Sequence, residues 1–230
     1  MLVSCFGIHK SASTFAYRIS TEVAKHVFDG EVLTGMDVQK INKDFLEKNH
    51  DIISSTKKVL IQKTHSGTNT DLSRYIENGE IHVIASIRDL RDVALSMIDA
   101  GADSRAAGLK NQMANVQNIS DTIAKIREDV TALKRWSMLP RILYVPYNEI
   151  FLNPDSIVGK IAKFAFDRDL SSDECKKINE SIPRSTIRLN KGIKDRYKSE
   201  MSSAESEQIL NTFSEFYDRY DPLLRLGSLS

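Results

Sequence analysis

A chain of 230 residues is long enough to bury a core as one domain and too short for two of ordinary size. Apolar residues at 41% and charged residues at 27% give the balance of a soluble globular protein, which excludes a disordered or membrane chain. With 32 Lys and Arg against 31 Asp and Glu, the net charge of +1 gives no long-range attraction to nucleic acid or an anionic membrane, so any anion site must be local.

In chain order, the first apolar run is a strand over residues 2–7, closed by His9 and Lys10. It is far short of the ~20 residues of a spanning helix, and no other run does better. Short apolar runs over 31–33, 58–63, 81–88 and 142–147 give four more strands. Helical patterns fall at 14–28, 37–48, 70–77, 89–99, 111–138, 155–166, 171–180 and 203–219. Strands alternating with helices predict an α/β fold, a three-layer arrangement in which a mostly parallel five-stranded sheet is flanked by helices and followed by a helical C-terminal part. In the helix over 111–138, Val116, Ile119, Ile123, Ile126, Val130 and Leu133 form a seam read as packing on the sheet or neighbouring helices. Residues 99–112, rich in Gly, Ala and small polar side chains, read as a flexible crossing between two helices. Two cysteines, Cys5 and Cys175, have neither metal-ligand spacing nor a disulfide framework, so the expected compartment is the cytoplasm and no metal is expected.

The loop after the first strand, His9-Lys10-Ser11-Ala12-Ser13-Thr14, stands between a strand end and a helix start. Unpaired N–H groups and the helix dipole favour an anion at such a place. It lacks the GxxxxGK[ST] spacing of a nucleotide triphosphatase. Taken alone it also suits a Ser or Thr N-cap preceded by a solvated lysine. Two further stretches strengthen the anion reading. Lys63 and His65 end the third strand, spaced to emerge on one side with a cation beside a titratable base. Arg88 closes the fourth strand, Asp89 is a natural N-cap with Asp92 in capping-box position, and Ser96 follows Arg88 by eight residues, within reach of a shared phosphate.

These three stretches, in this order, resemble the sulfotransferases that use 3′-phosphoadenylyl sulfate (PAPS). The loop is similar to their P-K-[SA]-G-[ST]-[TS] signature, Lys63-Thr64-His65 matches their K-T-H tract, and Arg88 to Ser96 resembles R-[DN]-P-[RK]-D-V-[AL]-x-S. Residues 143–166 are similar to the family's strand, Y-E-D-L turn and N-P helix, and 189–202 to its R-K-G-x-x-G-D-W-K-N loop. Departures are Ala12 for the loop glycine, Leu90 for proline, Asn148 for Glu, Asn190 for the late Arg and Tyr197 for Trp.

The resemblance implies a single P-loop-kinase-like domain over 1–230. It implies transfer of a sulfuryl group from PAPS, leaving 3′,5′-adenosine diphosphate, to a hydroxyl or amine of a small-molecule, sugar or lipid-linked acceptor. It makes His65 the general base, with Lys10 and Lys63 as catalytic cations. Lys10, Ser11, Ala12, Ser13 and Thr14 would hold the 5′-phosphosulfate, Arg88 and Ser96 the 3′-phosphate. Tyr147, Lys191 and Gly192 would line the cofactor pocket, and 185–187 touch the adenine. Two other readings stay open: a nucleotide or small-molecule kinase of related fold, and a non-catalytic nucleotide-binding module.

Overall fold

A computed structural model describes residues 1–36, 40–183 and 193–225. Five strands, β1 (Leu2–Gly7), β2 (Glu31–Gly35), β3 (Lys58–Thr64), β4 (Ile81–Ile87) and β5 (Leu143–Pro146), form one sheet in the order β2-β3-β1-β4-β5. Every pairing is parallel, with Phe6 opposite Thr64 and Gly7 opposite Ser86. The carboxyl ends of β3, β1 and β4 are therefore neighbours on one edge, where ligands bind in open parallel sheets.

Both sheet faces are apolar because both are covered. On one side Val3, Cys5, Ile61 and Ile84 meet α1 (Ser13–Val27), α8 (Pro154–Phe166) and α9 (Ser172–Ser181). On the other, Leu2, Phe6, Ile81 and Ala85 meet α5 (Leu90–Ala106), α6 (Ile119–Trp136), α11 (Ser203–Thr212) and α12 (Ser214–Leu224). Shorter helices fill the connections: α2 (Lys43–Lys48), α3 (His50–Ile53), α4 (Ser73–Glu77), α7 (Tyr147–Leu152) and α10 (Tyr197–Glu200). Among the described residues no helix is long and apolar enough to cross a membrane.

The boundaries correct the sequence reading in three places. The stretch expected as a flexible crossing continues α5 to Ala106. The helix expected from 111 breaks into a 3₁₀ turn over Gln112–Asn115 and α6, which starts at a capping box in which Asn118 and Asp121 satisfy each other's backbone N–H. The helix expected over 203–219 divides at Phe213.

Gly101 explains the first correction. A Cβ there would stand 2.2 Å from the Val116 carbonyl oxygen and 2.7 Å from that of Met113, so the glycine is a contact surface inside a helix and not a breaker. Gly101→Ala therefore sets two effects against each other. Helix propensity favours alanine by about 1 kcal/mol, whereas forcing the 3₁₀ turn off α5 costs about 1–3 kcal/mol. Sterics should win, and chemical denaturation should show the variant to be less stable than the parent; a more stable variant would refute the close approach.

Trp136 carries the fold toward the site. Fully buried at the end of α6, its ring lies 6.0 Å from that of Phe6, and its indole N–H donates to the Ser66 carbonyl at 3.0 Å. The segment after β3 is thereby tied to α6, and Gly67 lets it lie close, since a Cβ there would be 3.0 Å from Ala132 Cα.

Candidate active site

Residues Ile8–Ala12 turn from β1 into α1, and Lys10 and Ala12 both take positive φ, 65° and 66°. The αL conformation crowds Cβ, so Ala12 stands where glycine would be relaxed. Ala12→Gly should remove a penalty of about 1–2 kcal/mol while adding about 0.4–1 kcal/mol of unfolded-chain entropy. The net expectation is equal or slightly higher stability in a denaturant titration; a clear loss would show that the methyl group packs usefully.

Gly7 sits under this turn. A Cβ at residue 7 would approach Ser86 Oγ to 2.2 Å and Ser13 Cβ to 2.4 Å. Ser11 is fully buried and its hydroxyl is engaged at the base of the turn, at 2.6 Å from the Ile8 carbonyl and 2.8 Å from Ser86 Oγ. Its backbone N–H donates to Ile8 as well, so Ser11 shapes the loop from beneath.

The start of α1 differs from those of most other long helices; α12 also lacks a side-chain cap, but it carries Glu215 in its first turn. Helices α5, α6, α8, α9 and α11 each begin under a side-chain cap, from Asp89, Asn118, Asn153, Ser171 and Ser202. Helix α1, 15 residues long, has Ala12 at its N-cap, no capping side chain and no acidic residue in its first turn. Ser13 and Thr14 are its first two helical residues rather than a cap, and among the described residues their hydroxyls find no partner. The bland reading of this stretch, a self-satisfied Ser or Thr cap, is thus corrected. The first turn presents N–H groups, two hydroxyls and the positive end of the dipole without an internal anion.

Strand β3 ends at Thr64, so the two-residue alternation expected to align Lys63 with His65 stops short of the histidine. Lys63, nearly buried, pairs in register with Cys5. His65 is oriented instead by two contacts. Its Nδ1 lies 2.6 Å from the Gly7 carbonyl oxygen, and its ring stacks on that of His9 with centroids 3.8 Å apart and planes 17° from parallel. A carbonyl can only accept, so Nδ1 carries the proton and Nε2 the lone pair. Burial, with the His9 and Lys63 charges adding to it, pushes the imidazole down to about 3, and the bond to Gly7 opposes this. The ring is therefore neutral at physiological pH.

His9 is held in turn by Asp129, a buried carboxylate on α6. Its Nδ1 lies 2.8 and 2.9 Å from the two carboxylate oxygens, and its backbone N–H donates to the same group at 2.9 Å. Neither role was read from the sequence. A signal existed: Asp129 stands three residues after Ile126 and four before Leu133, so it is a charge on an otherwise apolar seam.

On the other flank Arg88 is almost buried. Its Nη1 donates to the Lys10 carbonyl at 3.2 Å, its Nη2 to the Ile193 carbonyl at 3.0 Å and toward Asp92 at 3.4 Å, and its guanidinium lies 3.7 Å from the centre of the Tyr147 ring. Asp92 does not close the expected capping box. It accepts instead from the N–H groups of Asp195 and Tyr197, at 2.9 and 3.1 Å, and so ties the late segment to α5. Burial raises its carboxyl, against the pull of Arg88. Ser96, also buried, lies one turn beyond Asp92 on the same helix face. Tyr197, in place of the resemblance's Trp, lies against Arg91 with the guanidinium 3.5 Å from its ring centre. Arg196, missed in the sequence, is buried between Asp99 and Glu200. Lys191, Gly192, Asn190 and 185–187 lie outside the described residues.

One sheet edge thus gathers Lys10, Ser13 and Thr14 after β1, Lys63 and His65 at the end of β3, and Arg88 after β4 beside Tyr147. Beside His9 and His65 a cavity of about 610 Å³ opens toward α6.

In sequence, residues 11–220 match the sulfotransferase domain family. No curated protein matches the chain. Among solved structures it is similar to the crystal structure of mouse sulfotransferase SULT7A1 complexed with PAP, at 14% identity and a TM-score of 0.61, over 100% of this chain and 89% of that one. At that identity the likeness speaks for the fold.

Proposed function

The chain belongs to the sulfotransferase domain family, and on that premise we propose that it transfers a sulfuryl group from PAPS to a hydroxyl or amine of an acceptor, with His65 as general base. The observation that carries this reading is the uncapped start of α1, preceded in its loop by Lys10 and by the Gly7 carbonyl that holds a neutral imidazole with Nε2 free of its proton. The residues present fit the donor. A tight turn over Gly7 brings backbone N–H groups forward, and the SULT7A1 structure is described as complexed with PAP.

When bound, PAPS supplies an SO3 group joined to a phosphate oxygen. This chain's residues then position and neutralise, which is most of what such a transfer requires. The N–H groups and hydroxyls of Ser13 and Thr14, with the backbone of Ser11 and Ala12, hold the 5′-phosphate. Lys10 would neutralise charge on the phosphate side of the donor and Lys63 charge on its sulfuryl group. Arg88 and Ser96 would hold the 3′-phosphate. Tyr147 supports Arg88 from below. The family resemblance assigns Lys191 and Gly192, outside the described residues, to donor binding as well.

His65 accepts the acceptor's proton at Nε2 while Nδ1 stays bonded to Gly7. An imidazole held near 3, chiefly by burial and then by the His9 and Lys63 charges, is a weak base, and the negative charge of a bound donor would raise it. His9 and Asp129 are positioning residues: the carboxylate fixes His9, and the stacked ring fixes the plane of His65.

A thermal-shift titration tests the donor directly. 3′,5′-Adenosine diphosphate (PAP) should raise the melting temperature and ATP with Mg²⁺ should not. The opposite order would favour a kinase.

A further inference from the structure

The cavity beside His65 has walls that suit only part of the acceptor chemistry open to this family. Resting on the reading above, we propose that the acceptor is an anion, a hydroxyl or amine compound that carries a carboxylate, phosphate or sulfate group, held by Arg127 and Arg135 of α6 and by Lys40 while its nucleophile faces His65.

Charge is the first argument. Lys40, Lys125, Arg127 and Arg135 line the cavity against Glu128 and Asp129. Both carboxylates are already engaged: Glu128 pairs with Lys125 at 2.9 Å and Asp129 holds His9. Among the described residues no carboxylate pairs with Lys40, Arg127 or Arg135. The cavity therefore carries an excess of positive charge that a neutral acceptor would leave uncompensated. Such a patch is unexpected in a chain whose net charge is only +1.

The absence of large hydrophobic side chains is the second argument, the carbon surface of the cavity coming from alanines and from the stems of polar residues. A site for a small aromatic or lipid alcohol buries most of its ligand against hydrophobic and aromatic side chains. Here the described walls contain no Leu, Ile, Val, Met, Phe, Tyr or Trp, and their only hydrocarbon side chains are those of Ala124 and Ala132. At about 610 Å³ the space is large enough for a sugar or similar polar compound. Arg127 and Arg135 stand eight residues apart on one helix face, so their guanidinium groups can meet two oxygens of one anion or two anions of an extended acceptor.

The test uses the whole protein saturated with PAP. Dissociation constants are measured by protein-observed NMR titration with glucuronate and glucose 6-sulfate, each against glucose, and with 2-naphthol as the apolar arm. Both anions should bind about tenfold or more tighter than glucose and naphthol. That preference should weaken as salt rises and disappear in Arg127→Ala/Arg135→Ala. A preference for one anion alone also supports the proposal and identifies the charged group. Equal or absent responses to charged and neutral probes, a preference for naphthol, or a preference that survives the double substitution would overturn it. The double variant must still show the PAP thermal shift. If PAP shifts neither protein, the donor reading fails and this inference falls with it; if PAP shifts both but the anions gain nothing, only the acceptor inference falls.

Discussion

His65→Gln is expected to reduce sulfuryl transfer from labelled PAPS by about two to four orders of magnitude, the contribution of a positioned general base. Affinity for PAP should stay near that of the parent. Glutamine can still donate to the Gly7 carbonyl and fill the space above His9, so the loop is preserved while the basic Nε2 is lost. Titration calorimetry for PAP and a transfer assay for turnover separate the two effects. If turnover and affinity fell together, His65 would be a structural element of the loop; if neither fell, another group would be the base.

The environment of His65 also has a consequence for stability. Its proton affinity is depressed in the folded state, from an ordinary 6.5 to about 3, so the unfolded chain binds more protons than the folded one between those values. The contribution is fully present above about pH 6.5 and is lost as pH falls toward 3. His82, buried beside the Gly79 carbonyl and lowered to about 4, acts in the same direction. Denaturation midpoints should fall through this window, and less steeply in His65→Gln.

Gly7→Ala is the second large effect. The added methyl would overlap Ser13 Cβ at 2.4 Å and Ser86 Oγ at 2.2 Å, distances that side chains do not sustain. Ser86 cannot simply rotate away, because its hydroxyl is bonded to Ser11. The turn must move off the sheet edge and take the first residues of α1 with it. A stability cost of about 1–3 kcal/mol is expected from the overpacking. Loss of measurable PAP binding is expected because the N–H groups no longer converge. A variant that binds PAP normally would show that the loop geometry is not what holds the donor.

What the sequence revealed and what it withheld follow from the range of the signals. The strands were legible because short apolar runs bounded by turns are local patterns, and all five appear in the structure within a few residues of their expected limits. Helix ends were harder. Gly101 looks like a breaker to any local rule, and only the Val116 carbonyl, packed against it from beyond the next turn, shows why the helix passes through it. Asn118 and Asp121 carried a local signal for the start of α6, yet the apolar spacing through Val116 obscured it.

The same division runs through the site. Lys10, Lys63, His65 and Arg88 could be singled out as candidates because they sit at strand ends in recognisable short motifs. The pairing of His9 with Asp129 spans 120 residues and follows no motif. The orientation of His65 could not be read from strand alternation, because the strand ends one residue before it. Whether Ser13 and Thr14 cap their helix or stand within its first turn is likewise decided by one αL residue, Ala12, whose conformation the composition of the loop does not announce.

The central claim is that the start of α1 is an anion site completed from outside the protein. It is tested most directly by amide NMR of Ala12, Ser13 and Thr14 during titration with PAP. All three N–H resonances should move downfield and saturate together, as hydrogen bonds to a phosphate form. PAP binding that leaves these three amides unmoved while others shift would contradict the claim.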